Sequence, residues 1–136
     1  MNNLEQTLSI IKPDAVERNL SEEIKSEFEK NGFNILKEKK IKIEKSDAEK
    51  FYKVHQTKPF YNGLCAYLSS GPIVVMALEK ENAVTDNRKL MGATDPKNAE
   101  SGTLREKYGI SIDKNSVHGS DSVENAKIEI NFFFNE

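Results

Sequence analysis

The sequence lacks several features that would assign it to a specialised class of protein. Cysteine occurs once, at Cys65, so no disulfide can form within the chain, which suits the reducing cytoplasm. No apolar run approaches the roughly 18 residues of a transmembrane helix, and the N-terminal residues do not resemble a signal peptide. A formal net charge of -2 excludes the global positive field typical of nucleic-acid-binding proteins. We therefore expect a cytoplasmic enzyme or binding domain.

What the sequence does contain predicts one α+β domain spanning residues 1–136. The length, with 37% hydrophobic and 31% charged residues, fits a single core, and no linker, repeat or low-complexity tract interrupts it. Strands are predicted at residues 7–11, 33–44, 73–78 and 117–118, with helices between and after them. Without the middle helices the order is βαββαβ. This order predicts a ferredoxin-like sandwich, a four-stranded antiparallel sheet with helices packed on one face.

Local signals place the boundaries of these elements. Ser21 is predicted to cap the first long helix, and Ser46 is predicted to open a capping box with Glu49. The apolar run at residues 73–78 predicts a central strand that is buried on both faces. A helix is expected to follow directly over residues 79–91, because its acidic residues come first and its basic residues last.

The stretch at residues 115–122, NSVHGSDS, concentrates residues that could carry chemistry. A neutral imidazole such as that of His118 can attack phosphorus near neutral pH, provided a carboxylate or carbonyl fixes its tautomer. Glu124 and Glu129, in the helix that follows, are both candidates for that partner. A lone histidine before a helix is nevertheless more often a polar cap or a satisfied core residue. The other histidine, His55, falls on an aromatic helix face and is expected to play a supporting role.

Scarce arginines favour a phosphate-binding interpretation. Only three of the 20 basic residues are arginines; Arg88 falls late in a predicted helix and Arg105 in a long loop that Thr94 opens. Lys12 ends the first strand, where ligand-facing residues tend to lie. Arginine suits bidentate phosphate contacts, although each of these residues singly could be a surface charge. Phe60 follows a proline and could stack a nucleotide base without reading its identity, or be a core aromatic.

Several motifs, in order along nearly the whole chain, resemble those of nucleoside diphosphate kinases. They lie at residues 7–14, 58–60, 70–72, 90–96, 102–105 and 115–122. The resemblance implies an enzyme that transfers the γ-phosphate of a nucleoside triphosphate, mainly ATP, to a nucleoside diphosphate by a ping-pong mechanism. Both ribo- and deoxyribonucleotides would be substrates, so the enzyme would maintain NTP and dNTP pools.

The resemblance also implies a role for each candidate residue. His118 would form a pros-phosphohistidine, with Glu129 orienting the imidazole and Ser120 supporting that pair. The residues implied to bind nucleotide are Lys12, Tyr52, Arg88, Thr94 and Arg105 for the phosphates, Asn115 for the sugar hydroxyl, and Phe60 with Leu64 for the base. Mg²⁺ would enter on the nucleotide phosphates and not at a protein metal site. The family forms tetramers or hexamers, so a homo-oligomer is implied, with neither a membrane nor a nucleic acid as partner.

Two positions depart from the family's usual pattern. Glu22 stands where glycine is common, and Asp95 stands where asparagine is usual before the proline. Neither belongs to the implied phosphate contacts. We therefore expect these departures to alter local stability and not activity.

Two other functions would also fit part of this sequence pattern. A ferredoxin-like nucleic-acid-binding module without catalysis would need paired aromatics on the central strands and a basic face, whereas these strands are aliphatic. A histidine phosphatase would share the covalent step. Its arginine-histidine-glycine motif is absent, because asparagine, serine and valine precede His118.

Overall fold

The computed structural model describes residues 4–53, 56–112 and 114–134, so His55 lies outside the described residues. Its centre is a four-stranded antiparallel sheet in the order β2-β3-β1-β4. The strands are β1 (Leu4–Ile11), β2 (Asn34–Ile41), β3 (Ile73–Glu81) and β4 (Val117–Gly119). The helices are α1 (Pro13–Glu17), α2 (Ser21–Lys30), α3 (Lys45–Phe51), α4 (Tyr61–Leu68), α5 (Ala83–Met91), α6 (Leu104–Tyr108) and α7 (Val123–Phe134), with a 3-10 turn at Pro96–Asn98.

This order confirms the predicted βαββαβ arrangement, but the expectation that helices cover one face is wrong. β3 is apolar at consecutive positions, so neighbouring side chains point to opposite faces and both faces need cover. Val74 and Met76 pack with residues of α2 and α5, whereas Val75 and Ala77 pack with residues of α3, α4 and α7. The sheet therefore lies between two layers of helices.

Two predicted helix starts differ from the structure. Ser21 is the first helical residue of α2 and its side chain makes no capping bond, because Leu20 occupies the capping position. The capping box of α3 uses Glu44 and Asp47 in place of Ser46 and Glu49, and the Asp47 carboxylate accepts the Glu44 amide at 3.2 Å. A glutamate carboxylate accepts a free helix N–H as a serine hydroxyl does, so the box forms two residues earlier than predicted.

The predicted helix over residues 79–91 begins too early. Residues 79–81 continue β3 and pair with residues 4–6 of β1, and α5 starts only at Ala83. Asn82 makes the change of direction with a left-handed backbone, φ 57°. Pairing with a neighbouring strand has overridden the local helix signal, as tertiary contacts commonly do.

The register of the two strands β1 and β4 decides where the candidate residues lie. His118 is paired with Ile10, so both side chains point to the face covered by α3, α4 and α7. Lys12 follows directly after β1 and its amide donates to Ser116 O at 2.8 Å, next to the start of β4. None of the helices in the described part of the chain is long and apolar enough to span a lipid bilayer.

Candidate active site

The imidazole of His118 is held through one of its two ring nitrogens. Its Nε2 lies 3.0 Å from Glu129 Oε1, and the Ser120 hydroxyl donates to the same oxygen at 2.8 Å. Ser120 Oγ in turn accepts the Leu8 amide of β1 at 3.1 Å, which fixes the serine to the sheet. A carboxylate on Nε2 favours the tautomer with the proton there, which leaves the lone pair on Nδ1 for reaction. The His118 side chain is 19% exposed, so a ligand can reach part of it.

The start of α7 determines which glutamate faces His118. The Ser122 hydroxyl accepts the Asn125 amide at 3.1 Å and caps the helix. Five positions along an α-helix turn the side-chain direction by about 140°, so Glu124 and Glu129 cannot both point to one place. Glu129 points to the imidazole, and Glu124 is exposed to solvent.

Two aromatic rings border the imidazole. The Phe51 ring stands edge-on to His118 with centroids 5.3 Å apart, and the Tyr52 ring does so at 6.3 Å. Burial, followed by the charge of Glu129, raises the pKa of Tyr52, so its phenol stays protonated at neutral pH. The contact between Phe51 and His118 was missed by sequence reasoning, because helical spacing identifies an apolar face and not what that face touches.

A second group of predicted residues is connected by hydrogen bonds at the edge of the sheet. Lys12 Nζ donates to Asn115 Oδ1 at 2.9 Å, and Asn115 Nδ2 donates to Thr94 O at 3.1 Å. Lys12 and Asn115 are both buried, whereas Thr94 is exposed. The structure therefore brings these three residues together, although 103 positions separate the first two in the sequence.

Arg105 brings a buried positive charge to β4. Its guanidinium donates to Val117 O at 2.9 Å and to Gly92 O at 3.1 Å, while its Nε is buried without a hydrogen-bond partner among the described residues. Burial first and the charge of Arg88 second lower the pKa of Arg105 to about 10, so it remains charged at neutral pH. Neither arginine forms an ion pair with a carboxylate of the described residues. The positive charges of Arg88 and Arg105 repel each other, and a bound anion would reduce this repulsion.

The two residues predicted to bind the base lie on α4. Phe60 caps the helix and is 50% exposed, and Leu64 is half-buried one turn later, with its amide donating to Phe60 O at 2.9 Å. Their side chains form an apolar pair at the surface.

Comparison with known proteins shows which family the chain belongs to. The family model described as "Nucleoside diphosphate kinase" matches residues 5–136. The chain belongs to the nucleoside diphosphate kinase family. It is therefore an enzyme, a phosphotransferase that acts on nucleotides, and the nucleic-acid-binding alternative is not favoured.

Relatives and solved structures agree with this assignment to the nucleoside diphosphate kinases. The chain is similar to the nucleoside diphosphate kinase of a Nitratiruptor species, 59% identical over 131 residues that cover 96% of each chain. A crystal structure of the Aquifex aeolicus enzyme superposes with a TM-score of 0.95 at 38% identity, covering 96% of this chain and 95% of the other. The Encephalitozoon cuniculi enzyme gives 0.93 at 36% identity, covering 97% and 90%. The fold expected from the sequence is thereby confirmed.

Gly119, directly after His118, leads to a first prediction. A Cβ atom there would collide with the Asn87 amide and lie 2.9 Å from Met91 Cε, both on α5. Because Asn87 is fully buried, its amide has little room to turn aside, and the added methyl group overpacks the contact between β4 and α5. We expect Gly119→Ala to lower the free energy of unfolding by about 1–3 kcal/mol, measured by urea denaturation.

Gly63→Ala is the matched control for this substitution. Apart from its chain neighbours and the backbone of α4, no atom of the described residues lies within 4 Å of the position a Cβ would take at Gly63. Alanine is also the better helix former, so this variant should be as stable as the wild type or slightly more stable. Equal stability of the two alanine variants would show that the close approach of Asn87 to Gly119 does not affect the free energy of unfolding.

Proposed function

We propose that His118 carries the phosphoryl group between nucleotides as a pros-phosphohistidine. In the first half-reaction the Nδ1 lone pair forms a bond to the γ-phosphorus of a nucleoside triphosphate, mainly ATP, and the bond to the bridging oxygen breaks. The diphosphate leaves, and a second diphosphate takes the group by the reverse of this step. The observation that supports this best is the contact of the opposite nitrogen, Nε2, with the Glu129 carboxylate, which also accepts a hydrogen bond from the Ser120 hydroxyl. The reaction would maintain the ribo- and deoxyribonucleoside triphosphate pools.

The surrounding residues fit the binding of a nucleotide in this proposal. Phosphoryl transfer gains most of its acceleration from positioning and from charge around the phosphate oxygens. The residues proposed to contact the phosphates are Lys12, Tyr52, Arg88, Thr94 and Arg105. Asn115 would bind the sugar hydroxyl through the amide that now contacts Lys12 and Thr94. Phe60 and Leu64 would enclose the base, and such apolar contact is tolerant of base identity.

Magnesium belongs to the proposal as part of the nucleotide. The groups proposed to contact the phosphates are ammonium, guanidinium and hydroxyl groups, which donate hydrogen bonds to phosphate oxygens, while the Glu129 carboxylate beside His118 is already engaged by Nε2 and by the Ser120 hydroxyl. The ion would be held by the phosphates and would neutralise part of their charge when bound.

We also propose that residues 1–136 act as one domain in a cytoplasmic homo-oligomer, a tetramer or a hexamer. Both clusters of buried apolar residues share the same sheet, which supports a single folding unit. Large apolar side chains lie exposed at Leu36, Ile110, Ile112 and Ile128, and contact with other subunits would cover such groups.

The test is labelling with radioactive ATP and Mg²⁺. We expect an acid-labile, base-stable phosphate on His118 from γ-labelled ATP and none from α-labelled ATP. Adding a mixture of nucleoside diphosphates should move the label to all of them. No label, or label released only to water, would refute the kinase mechanism, and a phosphate on Nε2 would refute the assignment of Nδ1.

A further inference from the structure

The carboxylate of Asp14 is buried, and three side chains donate hydrogen bonds to it. The side chain is 3% exposed. The Tyr67 hydroxyl donates to Oδ1, while the Ser116 hydroxyl and Arg18 Nη2 donate to Oδ2 at 2.7 Å and 3.0 Å. Hydrogen bonds to an ionised group are stronger than neutral ones, so this carboxylate ties its partners firmly.

These donors come from separate parts of the fold. Tyr67 lies on α4, Arg18 follows the end of α1, and Ser116 directly precedes β4. Arg18 Nη2 also donates to the carbonyl oxygen of Tyr108, the last residue of α6, at 2.6 Å. One carboxylate therefore connects α1, α4, α6 and the start of β4.

Each of these four elements carries a residue of the proposed nucleotide site. Lys12 precedes α1, Leu64 lies one turn before Tyr67 on α4, Arg105 lies on α6, and Asn115 is the neighbour of Ser116. None of the groups that contact Asp14 is itself proposed to touch nucleotide or the reacting atoms. We propose that Asp14 is a positioning residue, which fixes the base-, sugar- and phosphate-binding groups relative to one another. The inference rests on the function proposed above.

The backbone at Ser116 shows what the carboxylate holds in place. Ser116 has a left-handed conformation, φ 73°, which is unfavourable for a residue other than glycine and persists only where its surroundings fix it. Its hydroxyl lies 2.7 Å from Asp14 Oδ2 and 3.0 Å from Tyr108 O and accepts a hydrogen bond from Arg18 Nη2 at 3.2 Å, while the Lys12 amide donates to Ser116 O at 2.8 Å. Asn115 is the chain neighbour of Ser116 and accepts a hydrogen bond from Lys12 Nζ at 2.9 Å, so we expect loss of the Asp14 carboxylate, which bonds both the Ser116 hydroxyl and Arg18, to loosen the position of Asn115.

The experiment compares two phosphoryl donors in Asp14→Ala. ATP needs the base, sugar and phosphate contacts together, whereas phosphoramidate has neither base nor sugar and needs only the nucleophile. We expect labelling of His118 by ATP to fall about 100-fold, since a misplacement of about 1 Å has an effect of this size. Labelling by phosphoramidate should change less than about threefold, because the contacts of His118 do not include Asp14.

Two further variants make the test decisive. Asp86→Ala, the matched control, removes a carboxylate that pairs with Lys80 at 2.6 Å, and both donors should label it at the wild-type rate.

Tyr67→Phe deletes one hydroxyl donor to Asp14 and replaces Asp14→Ala in the test if that variant does not fold. It should raise the KM for ATP about tenfold, because only α4 is released, and should leave labelling by phosphoramidate unchanged.

The possible failures are distinguishable. If ATP does not label the wild-type protein, the proposed function fails. If ATP labels the wild type but Asp14→Ala or Tyr67→Phe matches it with both donors, only the positioning role fails. Equal losses with both donors would also overturn that role, because they would mean general damage to His118 or to the fold.

Discussion

His118→Ala should lower phosphoryl transfer from ATP to a second diphosphate by at least about 10⁴-fold and leave the protein folded. Alanine has no lone pair that can form a bond to phosphorus, and every turnover of the proposed mechanism passes through that bond. The imidazole is packed against Phe51 and Glu129 at the surface of the core, so its removal opens little internal space. Turnover by a coupled assay and thermal unfolding by circular dichroism would measure the two effects.

His118→Gln is the control that separates chemistry from packing. Glutamine fills most of the space and can still donate a hydrogen bond to Glu129, but its amide is not a nucleophile. We expect the two variants to be equally inactive. Either one retaining a few per cent of wild-type turnover would remove His118 from the role of nucleophile.

Glu129→Gln should lower the rate of His118 phosphorylation by about 10² to 10⁴-fold. The carboxylate can only accept a hydrogen bond, so it keeps the proton on Nε2 of His118. A glutamine amide can instead donate to Nε2, and the ring proton then moves to Nδ1 and blocks the attacking lone pair. Labelling by γ-labelled ATP in a single turnover measures the chemical step directly.

Glu124→Gln is the matched control, with the same chemical change on the same helix. Glu124 is exposed and makes no hydrogen bond to His118 among the described contacts. Its variant should react within about twofold of the wild-type rate, as is usual for an exposed position. A larger loss in Glu124→Gln than in Glu129→Gln would mean that the wrong glutamate has been assigned to the imidazole.

Much of the fold could be predicted because its signals are local. Apolar residues at consecutive positions identified β3 as a central strand. The boundary between β3 and α5 was not predictable in this way. Residues 79–81 form a strand because they pair with β1, and the local sequence of the segment does not indicate this pairing.

The sequence by itself determined the order of elements, the family motifs and the position of His118 before a helix, because these depend on residue type and short spacing. The tertiary structure decided which glutamate meets His118, since both share α7 and only its docking on the sheet chooses between them. It also brought Asp14 into contact with Ser116, which lies 102 positions away in the sequence, and the role proposed for Asp14 depends on this contact. Contacts between distant residues arise only when strands pair and helices pack, so no local pattern encodes them.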